Sequence, residues 1–142
     1  LSSAISSHTQ YAERTFKDLR AEDVDLDGSE FHECVFFRSS FVETVFQRCR
    51  FVECAFRECD LSLIQVPGSR FTTTRFEDCK VVGVNWAEAE WPEARLANPI
   101  GFFRSAISHS TFIGLCLRGI QIVDSVAMDV DFREADLGQA DF

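Results

Sequence analysis

Six cysteines and three histidines are the side chains in this sequence best suited to bind a metal or attack a carbonyl. Five of the cysteines, Cys34, Cys49, Cys54, Cys59 and Cys79, stand at spacings that are multiples of five, whereas His8, His32 and His109 are scattered. A closed zinc site needs four converging ligands, and no histidine spacing here completes one. Histidines so placed are expected on the surface. The five cysteines are expected to be small packing groups facing inward, with a disulfide or a metal as the alternative. Cys34 would stack on Cys54 and Cys59 on Cys79, with side chains pointing in parallel, while Cys116 is expected to face out.

No phosphate-binding glycine loop or dinucleotide fingerprint occurs. Inward serines and cysteines are committed to a core, so no Ser-His-Asp or Cys-His set is expected. An enzyme is not expected, and no catalytic residue, cofactor or metal is assigned.

Carboxylates remain. The net charge is −9, which argues against direct nucleic-acid binding, because affinity for the phosphate backbone comes from basic residues. The charge is uneven. Residues 1–33 hold eight acids and three bases, residues 34–80 six and seven, and residues 81–142 nine and four.

What would position these groups is a repeat. A large apolar residue returns every fifth position at Phe31, Phe36, Phe41, Phe46, Phe51 and Phe56. Five matches neither the strand period of 2 nor the helical 3.6. Two positions before each phenylalanine stands a small or polar residue: Ser29, Cys34, Ser39, Thr44, Cys49 and Cys54. Both can face one interior only if three residues are extended and the next two turn a corner. Four corners of about 90° close a square coil of roughly 20 residues, and coils stack about 4.8 Å apart. Turn chemistry agrees, since Val66-Pro67-Gly68-Ser69 carries proline and glycine where a type II turn wants them.

This pattern resembles the pentapeptide-repeat family over roughly residues 24–142, and Ala135-Asp136-Leu137-Gly138-Gln139 matches its Ala-Asp-Leu consensus. The resemblance implies an all-β, right-handed quadrilateral β-helix. Residues 1–23 are expected as an irregular N-terminal cap and residues 24–142 as the β-helix. Centres continue through Leu61, Val66, Phe71, Phe76, Val81, Trp86, Trp91 and Leu96, then resume at Phe102 one residue out of phase. That predicts a one-residue slip within 97–101. The chain runs to an in-phase Phe142, which is expected to be covered by another chain or by further residues.

On such a rod, residues 20 apart lie in columns. Glu33, Glu53, Thr73 and Glu93 form one, and Glu30, Arg50, Arg70 and Glu90 another. Stacked like charges are unfavourable unless cations or a partner meet them. Glu30, Glu33, Glu53, Glu90 and Glu93 are therefore the candidate partner-binding residues, and Leu137 and Phe142 the candidate end-to-end contact of a homodimer. The first expectation is a non-enzymatic interaction solenoid. Within the family, Phe76 to Trp86 is similar to a stretch in the quinolone-resistance and microcin-immunity branch. That similarity implies an acidic DNA mimic binding DNA gyrase or topoisomerase IV, with a role in antibiotic resistance. No apolar run is long enough to span a bilayer and Leu1-Ser2-Ser3-Ala4-Ile5 lacks a basic leader region, so a cytoplasmic location without membrane contact is expected.

Overall fold

The computed structural model describes residues 5–91 and 100–142. Twelve short strands are present among them. They are β1 (Gln10–Ala12), β2 (Thr15–Lys17), β3 (Asp25–Asp27), β4 (Glu30–His32), β5 (Val35–Phe37), β6 (Val45–Gln47), β7 (Arg50–Val52), β8 (Ala55–Arg57), β9 (Arg70–Thr72), β10 (Thr74–Glu77), β11 (Ile100–Phe103) and β12 (Gln121–Val123). Every pairing is parallel and links one coil to the next: β1-β4-β7-β9 on the first face, β2-β5-β8-β10-β11-β12 on the second, and β3-β6 on the fourth. Isolated bridges such as Ser40↔Asp60 and Asp60↔Lys80 carry the third face. The result is a four-sided β-solenoid.

The corners explain how a strand-forming sequence bends so often. Glu13, Glu33, Glu53, Asp18, Arg38, Glu58 and Asp78 all have φ between 50° and 55°. For a residue with a side chain this region is costly. The cost is offset because the corner N–H pairs with the next coil, as Glu33 donates to the Val52 carbonyl at 2.8 Å and Glu53 to that of Thr72 at 2.8 Å. At Gly68, φ +65, the Ser69 N–H also closes back on the Val66 carbonyl at 3.1 Å, as the type II reading requires.

Inside, the repeated aromatic rings stack along the axis. Tyr11, Phe31, Phe51 and Phe71 lie face on face with centroids 5.1, 5.0 and 5.0 Å apart. Phe16, Phe36, Phe56 and Phe76 form the second stack at 5.1, 4.5 and 5.1 Å. Neighbouring stacks meet edge to face, as Phe31 and Phe36 do at 5.3 Å. Offset stacks and edge contacts are the favoured aromatic geometries.

Two differences from expectation stand out. Residues 5–23 are not irregular: β1 and β2 pair with β4 and β5, His8, Glu13, Asp18 and Asp23 make left-handed corners, and Ala21 is buried at a centre position. Second, Phe76 pairs with Phe102 and Lys80 with Ala106, a separation of 26 residues against the usual 20. This coil is longer by six residues, and six leaves the same remainder of one, modulo five, as a single insertion. Leu96 and most of the stretch 97–101 lie outside the described residues.

Toward residue 142 the core thins. Val130, Phe132, Ala135, Leu137 and Ala140 are only partly buried, and Phe142 is 66% exposed. Among the described residues no helix is long and apolar enough to cross a membrane.

Candidate functional site

Inward serines and threonines have a job beyond filling space. Ser69 Oγ donates to the Phe46 carbonyl at 2.6 Å and accepts from the Cys49 N–H at 3.0 Å. Ser105 does the same with Phe76 and Cys79, both at 3.1 Å. Thr44 takes the Ala21 carbonyl and the Val24 N–H. Val24, Cys49 and Cys79 lie between strands, and a buried backbone polar group needs a partner. Cysteines offer the same link more weakly, with Cys54 Sγ donating to the Phe31 carbonyl at 3.3 Å and Cys79 Sγ to that of Phe56 at 3.1 Å. Burial pushes the Cys54 thiol up to about 12. Cys34, Cys49, Cys54, Cys59 and Cys79 are buried free thiols, and Cys116 is half-buried.

His8 and His109 are exposed and His32 is half-buried, and each lies against a carboxylate: His32 with Glu30 at 3.2 Å, His109 with Asp129 at 3.7 Å and His8 with Asp27 at 3.9 Å. No group of three or more potential metal ligands converges among the described residues. The rod's charges therefore carry the surface chemistry.

The candidate acids divide into two settings. Glu30 and Glu90 share a column on the first face, in register with Arg50 and Arg70 between them. Arg70 bonds Glu90 at 2.9 Å and His32 bonds Glu30. Glu90 thus has a cationic partner and Glu30 a hydrogen-bonding one. Glu33 and Glu53 instead occupy left-handed corners at the edge after the first face, and Glu13 stands at the same corner one coil earlier. None of these three has an ion pair among the described residues. Glu13 was not singled out from sequence because it falls in the stretch expected to be irregular, yet its spacing of 20 from Glu33 carries the signal. Glu93 lies outside the described residues.

The next corner is built differently. There Asp18, Arg38, Glu58, Asp78, Arg104 and Asp124 follow one another, with Arg38 3.6 Å from Asp18 and Arg104 bonded by both Nε and Nη2 to Asp78 at 3.1 and 3.2 Å. The paired Asp78 holds the Arg104 guanidinium above its ordinary pKa. Arg38 and Arg104 pair with Asp18 and Asp78 here, while Glu58 and Asp124 have no ion pair among the described residues; the Glu13–Glu33–Glu53 corner holds no base at all. Phe142, expected at a dimer contact, meets Phe132 edge-on at 6.2 Å, and Leu137 packs on the core beside it.

Solved structures share this architecture. A pentapeptide repeat protein from the Arabidopsis thaliana thylakoid lumen superposes with a TM-score of 0.53 at 14% identity, covering 81% of this chain and 72% of its own. Full-length QnrB1, a plasmid-mediated fluoroquinolone resistance protein, aligns at 15% identity over 89% of this chain and 71% of its own, with a TM-score of 0.43. HetL from the cyanobacterium Nostoc, a pentapeptide repeat protein involved in heterocyst differentiation regulation, aligns at 11% identity over 95% and 91%, with a TM-score of 0.34. At 14% identity the likeness to the Arabidopsis protein speaks for the fold alone. No curated protein matches the sequence. Residues 29–100 match the family described as Pentapeptide repeat region. With that match over half of the sequence and coils of 20 residues closing on four faces, the chain belongs to the pentapeptide repeat family.

Proposed function

We propose that this protein is a non-enzymatic interaction rod that meets a basic protein surface along its Glu13–Glu33–Glu53 corner. The observation that carries this reading is the unneutralised column itself. Three carboxylates on successive coils repel one another at about 4.8 Å spacing, and a cationic partner removes that penalty. Complementary charge also speeds encounter and makes association salt-sensitive. Among the described residues the inward serines and cysteines are engaged with backbone rather than held as nucleophiles.

The test is a photo-crosslinker placed at Glu33 or, as a control, at Leu63 on the diagonally opposite corner, in extracts of the source cells. A salt-sensitive adduct from position 33 alone is expected. Equal adducts from both corners, or none, would contradict the reading.

A second reading is favoured by the same column: carboxylates repeated along a rod suit a groove built for phosphates, such as that of DNA gyrase or topoisomerase IV. Titration into a supercoiling reaction, with and without a quinolone, tests it. Neither inhibition nor protection at high micromolar protein removes it. The exposed Phe142 beside Leu137 supports a homodimer through the last coil, and a strictly monomeric mass by light scattering would refute that contact.

A further inference from the structure

The second face reverses the charge of the rod. Outward on its six strands stand three bases, Lys17, Arg57 and Arg75, and one acid, Glu77, in a chain of net charge −9. Glu77 grips both arginines from the side: Arg57 Nε donates to its Oε1 at 3.0 Å and Arg75 Nε to its Oε2 at 2.8 Å. The terminal nitrogens of both guanidinium groups have no partner among the described residues. Glu77 is only 14% exposed, against 52% for Arg57 and 50% for Arg75, so the carboxylate is covered and the two forks reach solvent. One acid cancels one of two bases, and the trio keeps a positive charge.

Aromatic rings steady the same face. Arg75 Cζ lies 4.1 Å from the centroid of the outward Phe103 ring, and Arg38 Cζ lies 4.5 Å from that of Phe37. Gly101 stands in register with Arg75, and its φ is not left-handed, so no turn requires a glycine there. A Cβ at Gly101 would sit 3.0 Å from Phe103 Cε2. The glycine therefore makes room for the ring that carries Arg75. An arginine held in this way loses less freedom when it binds.

The face is three extended residues wide, about 10 Å. Carboxylates border it on both edges, Glu33 and Glu53 on one and Glu58 and Asp124 on the other, and none of these has an ion pair among the described residues. A nucleic-acid duplex or a bilayer is wider than the face and would meet those carboxylates. A single extended chain would not.

We propose that the second face binds an extended acidic segment of a partner protein. Its carboxylates take the free edges of Arg57 and Arg75, because a guanidinium fork matches a carboxylate with two parallel hydrogen bonds. Its apolar side chains lie against Phe37 and Phe103. The partner is opposite in charge to the one that suits the Glu13–Glu33–Glu53 corner, and the two sites share no residue.

Fluorescence anisotropy of the full chain with a labelled peptide of alternating Asp and Val tests this, with a peptide of alternating Lys and Val as control. Binding of the acidic probe alone is expected. Affinity should fall about tenfold in Arg57→Gln and in Arg75→Gln, each of which leaves Glu77 one arginine, with circular dichroism verifying the fold. Arg75→Lys should weaken binding nearly as much, since lysine keeps the charge and loses the fork. Glu13→Gln/Glu33→Gln/Glu53→Gln should bind the probe undiminished, so that failure at the corner and failure at this face are told apart. No binding of the acidic probe, equal binding of the Lys peptide, or full affinity in the folded Arg57→Gln, Arg75→Gln or Arg75→Lys variants would overturn the proposal. Tighter binding to a single-stranded oligonucleotide or to anionic lipid vesicles would overturn it as well.

Discussion

Phe76 lies nearly flat on Phe102, ring centroids 5.2 Å apart and planes 17° from parallel, although 26 residues separate them. The stack on the second face thus continues across the lengthened coil. Phe102 is fully buried. Phe102→Ala is expected to destabilise the rod by about 3–5 kcal/mol, the range for removing a buried aromatic ring. Urea unfolding measures it, and a loss below about 1 kcal/mol would mean that the stack is interrupted there.

This relationship also shows what a repeat pattern can and cannot reveal. The centres from Phe31 to Trp86 are legible because five-residue spacing leaves each large ring only one place to go. Residue phase, however, counts modulo five, so Phe102 reads one step late whether one residue or six have been added. Only the pairing of Phe76 with Phe102 distinguishes them. Likewise Ala21 looks too small for a centre, and that hid the regular first coil and with it Glu13.

Ser69 is the second place where spacing identifies the position but not its role. Read from sequence it is a small inward residue. In the fold it joins the Phe46 carbonyl to the Cys49 N–H, partners more than 19 residues away that no local pattern names. Ser69→Ala leaves both groups unpaired and is expected to cost about 1–3 kcal/mol. Ser69→Cys keeps a weak donor and is expected to cost less. Equal stability of Ser69→Ala and wild type in urea would contradict the bridging role.

Gly83 tests the strain at the corners. Its φ is +73, and a Cβ there would meet Leu63 Cδ2 at 2.7 Å. Leu63 is itself 48% exposed, so its side chain can swing aside. Gly83→Ala is expected to cost about 1–2 kcal/mol from the left-handed backbone, and adding Leu63→Ala should recover little of it. A double-mutant cycle with large recovery would place the penalty in the side-chain contact instead.

The buried thiols predict an alkaline limit. Cys54 rises from an ordinary 9.0 to about 12 because burial disfavours the thiolate. Its folded-state pKa lies above the unfolded value. The stability it contributes is therefore complete below about pH 9 and is lost as pH rises toward 12. Melting temperature should fall between pH 8.5 and about 11, less steeply in Cys54→Ser. Identical slopes would show that this thiol ionises freely in the fold.

The account's central claim is that the Glu13–Glu33–Glu53 corner carries binding to a basic partner while the interior of the rod is structural. The most direct measurement compares the adduct formed by a crosslinker at Arg14, beside that corner, in the native chain and in a Glu13→Gln/Glu33→Gln/Glu53→Gln variant, with circular dichroism verifying the fold. The variant should remain folded, with stability equal or slightly raised at low salt because like charges are removed, and should lose the adduct. An undiminished adduct from the folded variant would contradict the claim.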